Sequence, residues 1–95
     1  MTKLELVREI SRETGVDVPT ATACIEAFMS VTKRTMAGGE NLYLRGFGSL
    51  TLIKRATKTA RNIKKGESLI VPEHFIPKFK AAPEFLESVA HAPVK

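Results

Sequence analysis

Residues 54–66, KRATKTARNIKKG, carry Lys54, Arg55, Lys58, Arg61, Lys64 and Lys65 with no acid among them, and their only large apolar side chain is Ile63. Cations repeated along one segment create a local field that recruits a polyanion, so the chemistry on offer is phosphate recognition. The rest of the chain sharpens this. Residues 1–53 balance six Lys or Arg against six Asp or Glu, whereas 54–80 hold eight Lys or Arg against Glu67 and Glu73. The net charge of +5 therefore resides in one region. Nucleic acid, an anionic lipid surface or an acidic protein are the partner classes this selects.

Catalysis finds no support. No nucleophile is paired with a base, no carboxylates are grouped for acid–base work, and no phosphate loop occurs. The single cysteine, Cys24, excludes an intrachain disulfide, and His74 and His91 stand too far apart for metal-ligand spacing. The expectation is no enzyme activity, no cofactor, no metal and no small-molecule substrate. No run of about 18 apolar residues could span a membrane, and MTKLELVREI interleaves charges where a secretory signal needs an apolar core. A cytoplasmic location follows as an expectation.

The elements that must position the basic segment are legible on either side of it. Thr2 and Glu5 have capping-box spacing, and Leu6, Val7, Ile10 and Thr14 follow at helical intervals up to Gly15, predicting a helix over 3–14. Asp17 is a good N-cap, Pro19 is tolerated in the first turn, and a second helix runs to about Ala37 before Gly38 and Gly39. Its apolar positions form two overlapping stripes, Ala21, Cys24, Phe28, Val31 and Ile25, Phe28, Met29, Thr32, Met36, a belt wide enough to need a second subunit. With the basic arm subtracted, about 75 residues remain, a size at which one core is marginal and a two-fold homodimer supplies the rest.

After the glycines the period becomes two. Leu42 and Leu44 alternate with Asn41, Tyr43 and Arg45, and Leu50 and Leu52 continue beyond Gly46, Phe47 and Gly48. From Lys54 the alternation loses its apolar side, so a strand over 54–62 must project into solvent. Asn62 and Gly66 suit a hairpin turn, ESLIVP is the return strand, and Pro72 and Pro77 fit an edge strand or its breaks. Phe79 points inward between Lys78 and Lys80. Phe85, Leu86 and Val89 share one face of a short helix starting near Pro83.

In this order, RGFGSL at 45–50, ARN at 60–62 before a Gly-containing turn, and IPKFK at 76–80 resemble the bacterial histone-like HU family and its relative integration host factor. The likeness extends from Lys3 to Val89. It implies an α+β fold in one domain: a helical dimerisation body over 1–40, a three-stranded antiparallel sheet over 41–80 with a protruding β-hairpin arm at about 54–74, and a C-terminal helix within 81–91. Two such chains form an intertwined homodimer whose arms embrace double-stranded DNA through its minor groove. The resemblance implies a nucleoid-associated architectural protein of low sequence specificity that bends and compacts the chromosome. Lys3, Lys54, Arg55, Lys58, Arg61, Asn62, Lys64, Lys65, Lys78 and Lys80 are the expected DNA contacts, and Cys24, Ile25, Phe28, Val31, Leu44, Phe47, Leu50 and Phe79 the expected dimer core.

Where the family's arm tip reads Arg-Asn-Pro, this chain has Arg61, Asn62, Ile63. Wedges in minor-groove architectural proteins include Ile as well as Pro, because an apolar surface replaces a stacked base, so Ile63 is the expected intercalating residue. The trailing helix begins Ala82, Pro83, Glu84 where relatives often carry Lys, which implies a shorter footprint. Lys3 has two competing roles, phosphate contact and ion pair within the protein. The alternatives to low specificity are a site-selective, integration-host-factor-like bender, and, from other classes, an RNA binder or an adaptor for an anionic partner. A membrane grip would call for a basic amphipathic helix, whereas the charge here lies on a strand with Ala and Thr.

Overall fold

A computed structural model describes residues 1–56, 58–62 and 67–94; for 58–62 and 67–71 it describes backbone pairing and not side chains. Two helices lead, α1 (Lys3–Thr14) and α2 (Val18–Ala37). The strands follow: β1 (Leu42–Leu44), β2 (Gly48–Arg55), β3 (Lys58–Asn62), β4 (Glu67–Val71) and β5 (His74–Ala81), and the chain closes with α3 (Pro83–Val89).

Each helix begins where its cap chemistry directs. Thr2 Oγ1 accepts the Glu5 backbone N–H at 3.3 Å and lies 3.2 Å from Glu5 Oε1, to which it donates. The Asp17 carboxylate accepts the backbone N–H of Thr20 at 3.1 Å and its hydroxyl at 2.8 Å. α2 ends in a Schellman arrangement, with Gly39 N–H on the Met36 carbonyl (3.0 Å) and Glu40 N–H on that of Thr35 (3.2 Å). Gly39 takes φ +92°, which a side chain would oppose, whereas Gly38 stays at −83°. The two glycines therefore have different jobs, and Gly39 performs the stop.

β1, β2 and β5 form an antiparallel sheet in the order β1–β2–β5, and β3–β4 form a separate two-stranded ribbon. The β1–β2 turn closes with Phe47 N–H on the Leu44 carbonyl at 3.0 Å, and Gly46 at φ +81° occupies the third position, which a type II turn reserves for glycine. Ala82 N–H bonds the Phe47 carbonyl at 2.9 Å, fastening the entry of α3 to that turn. Pro77, in β5, is tolerated because β5 is an edge strand.

The sheet has two unlike faces. Pairing of Leu42 with Leu50, Leu50 with Phe79, Leu52 with Pro77 and Lys54 with Phe75 puts these residues on one face. That face looks toward α2, and the two enclose an open cavity of about 900 Å³ lined by Thr32, Met36, Leu50, Leu52, Phe75 and Pro77. Phe47, Phe79 and Phe85 cluster with ring centroids 5.1–6.1 Å apart, a normal aromatic separation. Yet among the described residues only Val7, Ala21 and Met36 are buried apolar side chains. Phe28, Val31, Phe47 and Phe79 remain between 40% and 48% exposed in the protomer, and Cys24 is exposed too.

One expectation about the arm changes. A continuous strand over 54–62 was expected, but β2 ends at Arg55 and β3 starts at Lys58. Lys54 and Arg55 thus belong to the body sheet, paired with Phe75 and His74 on β5. Ala56 lies outside the strands, and Pro72, which has no N–H to give a ladder, lies with Glu73 between β4 and β5.

Candidate nucleic-acid interface

The outer face of the sheet, turned away from α2, is built by period two alone. It carries Tyr43 from β1, Ser49, Thr51, Ile53 and Arg55 from β2, and His74, Ile76, Lys78 and Lys80 from β5. Register arranges them in rows: Tyr43, Ser49 and Lys80 across three strands, then Thr51 with Lys78, Ile53 with Ile76, and Arg55 with His74. None of these residues is acidic. Three cations and several hydroxyl donors, with no carboxylate among these nine residues, form a surface whose chemistry suits a phosphate backbone.

At one end of this face a shallow depression of about 440 Å³ is lined by Tyr43, Arg45, Ser49 and Lys80 together with the first residues leading into α3. Tyr43 is 71% exposed, and its hydroxyl accepts a 3.2 Å bond from Asn41 Nδ2. Asn41 is itself held by its Oδ1, which accepts the Leu52 backbone N–H at 3.0 Å. Tyr43, Arg45, Ser49, Thr51 and His74 were not among the expected contacts. The signal for the first two was present in NLYLR, whose polar side faces opposite its leucines; the others needed strand register.

The expected contacts divide into four groups. Arg55, Lys78 and Lys80 come together on the outer face. Lys54 falls on the opposite, α2-facing side of the sheet, where its Nζ lies 2.9 Å from Glu73 Oε1. Lys3 is likewise paired, 2.9 Å from Glu26 Oε1, joining α1 to α2. Lys58, Arg61 and Asn62 hold register positions opposite Val71, Ser68 and Glu67 in the β3–β4 ribbon, their side chains lying outside the description. Ile63, Lys64 and Lys65 lie outside the described residues altogether. At the other end of the chain, the Glu84 carboxylate approaches the Leu44–Phe47 turn, 3.7 Å from where a Cβ on Gly46 would stand.

No group of three or more His, Cys, Asp or Glu among the described residues could hold a metal ion, and no described helix is long and apolar enough to cross a membrane.

Comparison with known proteins assigns this architecture. Residues 1–90 match the family model described as bacterial DNA-binding protein. The integration host factor beta subunit of Marinobacter nauticus is 37% identical over 90 residues, covering 94% of this chain and 92% of that one. Its counterpart from Nitrosospira multiformis is 33% identical, covering 94% and 96%. Among solved structures, HU from Anabaena in a cocrystal with DNA superposes with a TM-score of 0.89 at 31% identity, over 99% of this chain and 100% of that one. An HU variant from Thermotoga maritima shares the fold at 20% identity and a TM-score of 0.68, covering 94% and 99%. Matched by that family model over residues 1–90 and by relatives more than 30% identical over nearly its whole length, the chain belongs to the bacterial DNA-binding protein family of HU and integration host factor.

Proposed function

We propose that this protein is a DNA-bending architectural protein that works as a dimer, laying its outer sheet face against duplex phosphates and gripping the minor groove with its two β3–β4 arms. The observation that carries the reading is the β2–β5 register, which gathers Arg55, Lys78 and Lys80 on a face whose nine strand residues include no carboxylate. The HU structure superposed on this chain was determined with DNA, which supports the same partner. Partial exposure of Phe28, Val31, Phe47 and Phe79, and the open cavity between α2 and the sheet, support a second copy completing the core.

Ile63 is the proposed wedge. Inserting it costs a few kcal/mol of unstacking, offset by the phosphate contacts that a bent duplex makes available. Energy transfer between the ends of a short duplex of arbitrary sequence tests this at matched saturation. The native protein brings the ends together, and Ile63→Ala binds with the ends relaxed. An unchanged bend would leave the arms as basic clamps, and no bend with either protein would shift the reading to RNA or an acidic partner.

A second reading, a site-selective bender, is favoured by the matches to integration host factor beta subunits. It reads duplex deformability rather than base edges. A panel of unrelated duplexes separates the two: affinities within about tenfold of one another mark the sequence-tolerant protein, and a preferred site about 10³-fold tighter marks the selective one. An obligate unlike partner subunit would accompany the second outcome.

A further inference from the structure

Between the body sheet and the arm, pairing lapses on both strands at the same level. β2 and β5 pair as far as Arg55 with His74, and β3 and β4 pair from Lys58 with Val71 in the same register; among the described residues between them, Ala56, Pro72 and Glu73 stand outside both ladders. The interruption is therefore a joint in one long hairpin rather than a bulge, which would have shifted the count. Pro72 explains part of it by lacking a ladder donor.

Two contacts brace the joint among the described residues. His74 Nδ1 donates to the Pro72 carbonyl at 2.8 Å, a local bond between the first residue of β5 and the segment before it. Lys54 Nζ meets Glu73 Oε1 at 2.9 Å and crosses from the last rungs of β2 to the gap before β5. Register makes this possible: Lys54 faces Phe75, so Glu73 is its diagonal neighbour on the same side of the hairpin, within reach of a lysine stem. Both side chains are half exposed, and such a pair adds little to global stability. At a level where backbone rungs are missing, however, a small bias is enough to decide an angle.

We propose that the Lys54–Glu73 ion pair is a latch that sets the direction of the arm relative to the body, making Glu73 a positioning residue for DNA capture and removing Lys54 from the phosphate contacts. The inference rests on the DNA-binding reading only for its purpose. The latch itself is a property of the free protein.

The test has two arms. In the free protein, backbone order parameters of residues 58–62 and 67–71 fall by about 0.1 or more in Glu73→Gln, on a scale where rigid backbone lies near 0.85 and flexible backbone below 0.6. They return to native values in the charge-exchanged Lys54→Glu/Glu73→Lys protein, while those of residues 48–53 stay constant in both. Native order parameters in Glu73→Gln, or no recovery on charge exchange, would overturn the latch. On a duplex, the charge-exchanged protein keeps the native slope of log affinity against log salt. A slope shallower by about 0.9 or more would make Lys54 a phosphate contact and overturn the assignment. Failure of the native protein to bind duplex at all would sink the DNA reading and leave the relaxation result to judge the latch alone.

Discussion

The ring of Phe79 lies directly over Gly48, so that a Cβ placed on Gly48 would stand 2.6 Å from Phe79 Cζ and equally close to the Lys80 carbonyl oxygen. Gly48 is also paired with Ala81, which brings the end of β5 and the entry to α3 against the turn that carries Phe47. A glycine here is what permits the three phenylalanines to assemble. Gly48→Ala is expected to destabilise the protein by about 1–3 kcal/mol through overpacking, read by urea denaturation. Adding Phe79→Leu recovers part of that loss by freeing the ring's space, although the clash with backbone at Lys80 persists.

The outer face makes a quantitative electrostatic claim. If Arg55, Lys78 and Lys80 each neutralise one phosphate, replacing any one with Gln lowers the magnitude of the salt slope by about 0.9 on duplex DNA, while the protein stays folded. Fluorescence anisotropy titrations across a range of salt concentrations measure it. Slopes identical to that of the native protein for all three variants would remove the face from the interface.

Tyr43 offers a neutral control for the same surface. It is exposed, and its hydroxyl hydrogen is free for a phosphate because the oxygen accepts from Asn41. Tyr43→Phe is expected to weaken duplex binding about tenfold or more, consistent with loss of one hydrogen bond to a charged group, with the salt slope unchanged. Native affinity in Tyr43→Phe would place the tyrosine outside the footprint.

Gly38 and Gly39 separate two explanations of how α2 ends. Gly39→Ala forces a side chain into the left-handed region and is expected to cost about 1–2 kcal/mol. Gly38→Ala, at φ −83°, costs distinctly less. Thermal unfolding of the two variants gives the order, and equal losses would contradict the Schellman stop.

Asp17 gives the start of α2 an acid-sensitive cap. Hydrogen bonds from the Thr20 hydroxyl and then the Thr20 backbone N–H favour its ionised form and hold its pKa below the ordinary carboxylate value. A depressed folded-state pKa stabilises the protein above the unfolded value of about 3.9, and that contribution disappears as pH falls through the lower folded value. Stability measured from pH 6 down to pH 3 should therefore fall less steeply in Asp17→Asn than in the native protein. Parallel profiles would show that the cap does not titrate with folding.

Local rules carried the sequence a long way. Thr2, Asp17 and the paired glycines mark both helices, and loss of the apolar side after Ile53 marks where the chain leaves its core, because caps and periodicity depend on neighbours a few residues apart. The family was legible for the same reason, through RGFGSL and IPKFK in their order. What the sequence could not state was which cations share a surface. Lys54 and Arg55 are adjacent in the chain, yet strand alternation sends Arg55 to the outer face with Lys78 and Lys80 and turns Lys54 toward Glu73. That division depends on pairing between β2 and β5, whose partners stand from 19 (Arg55 with His74) to 33 (Gly48 with Ala81) positions apart in the chain, and the fit of Phe79 over Gly48 depends on the same pairing. Contacts of that range are settled only when the chain closes on itself, so tertiary structure decided them.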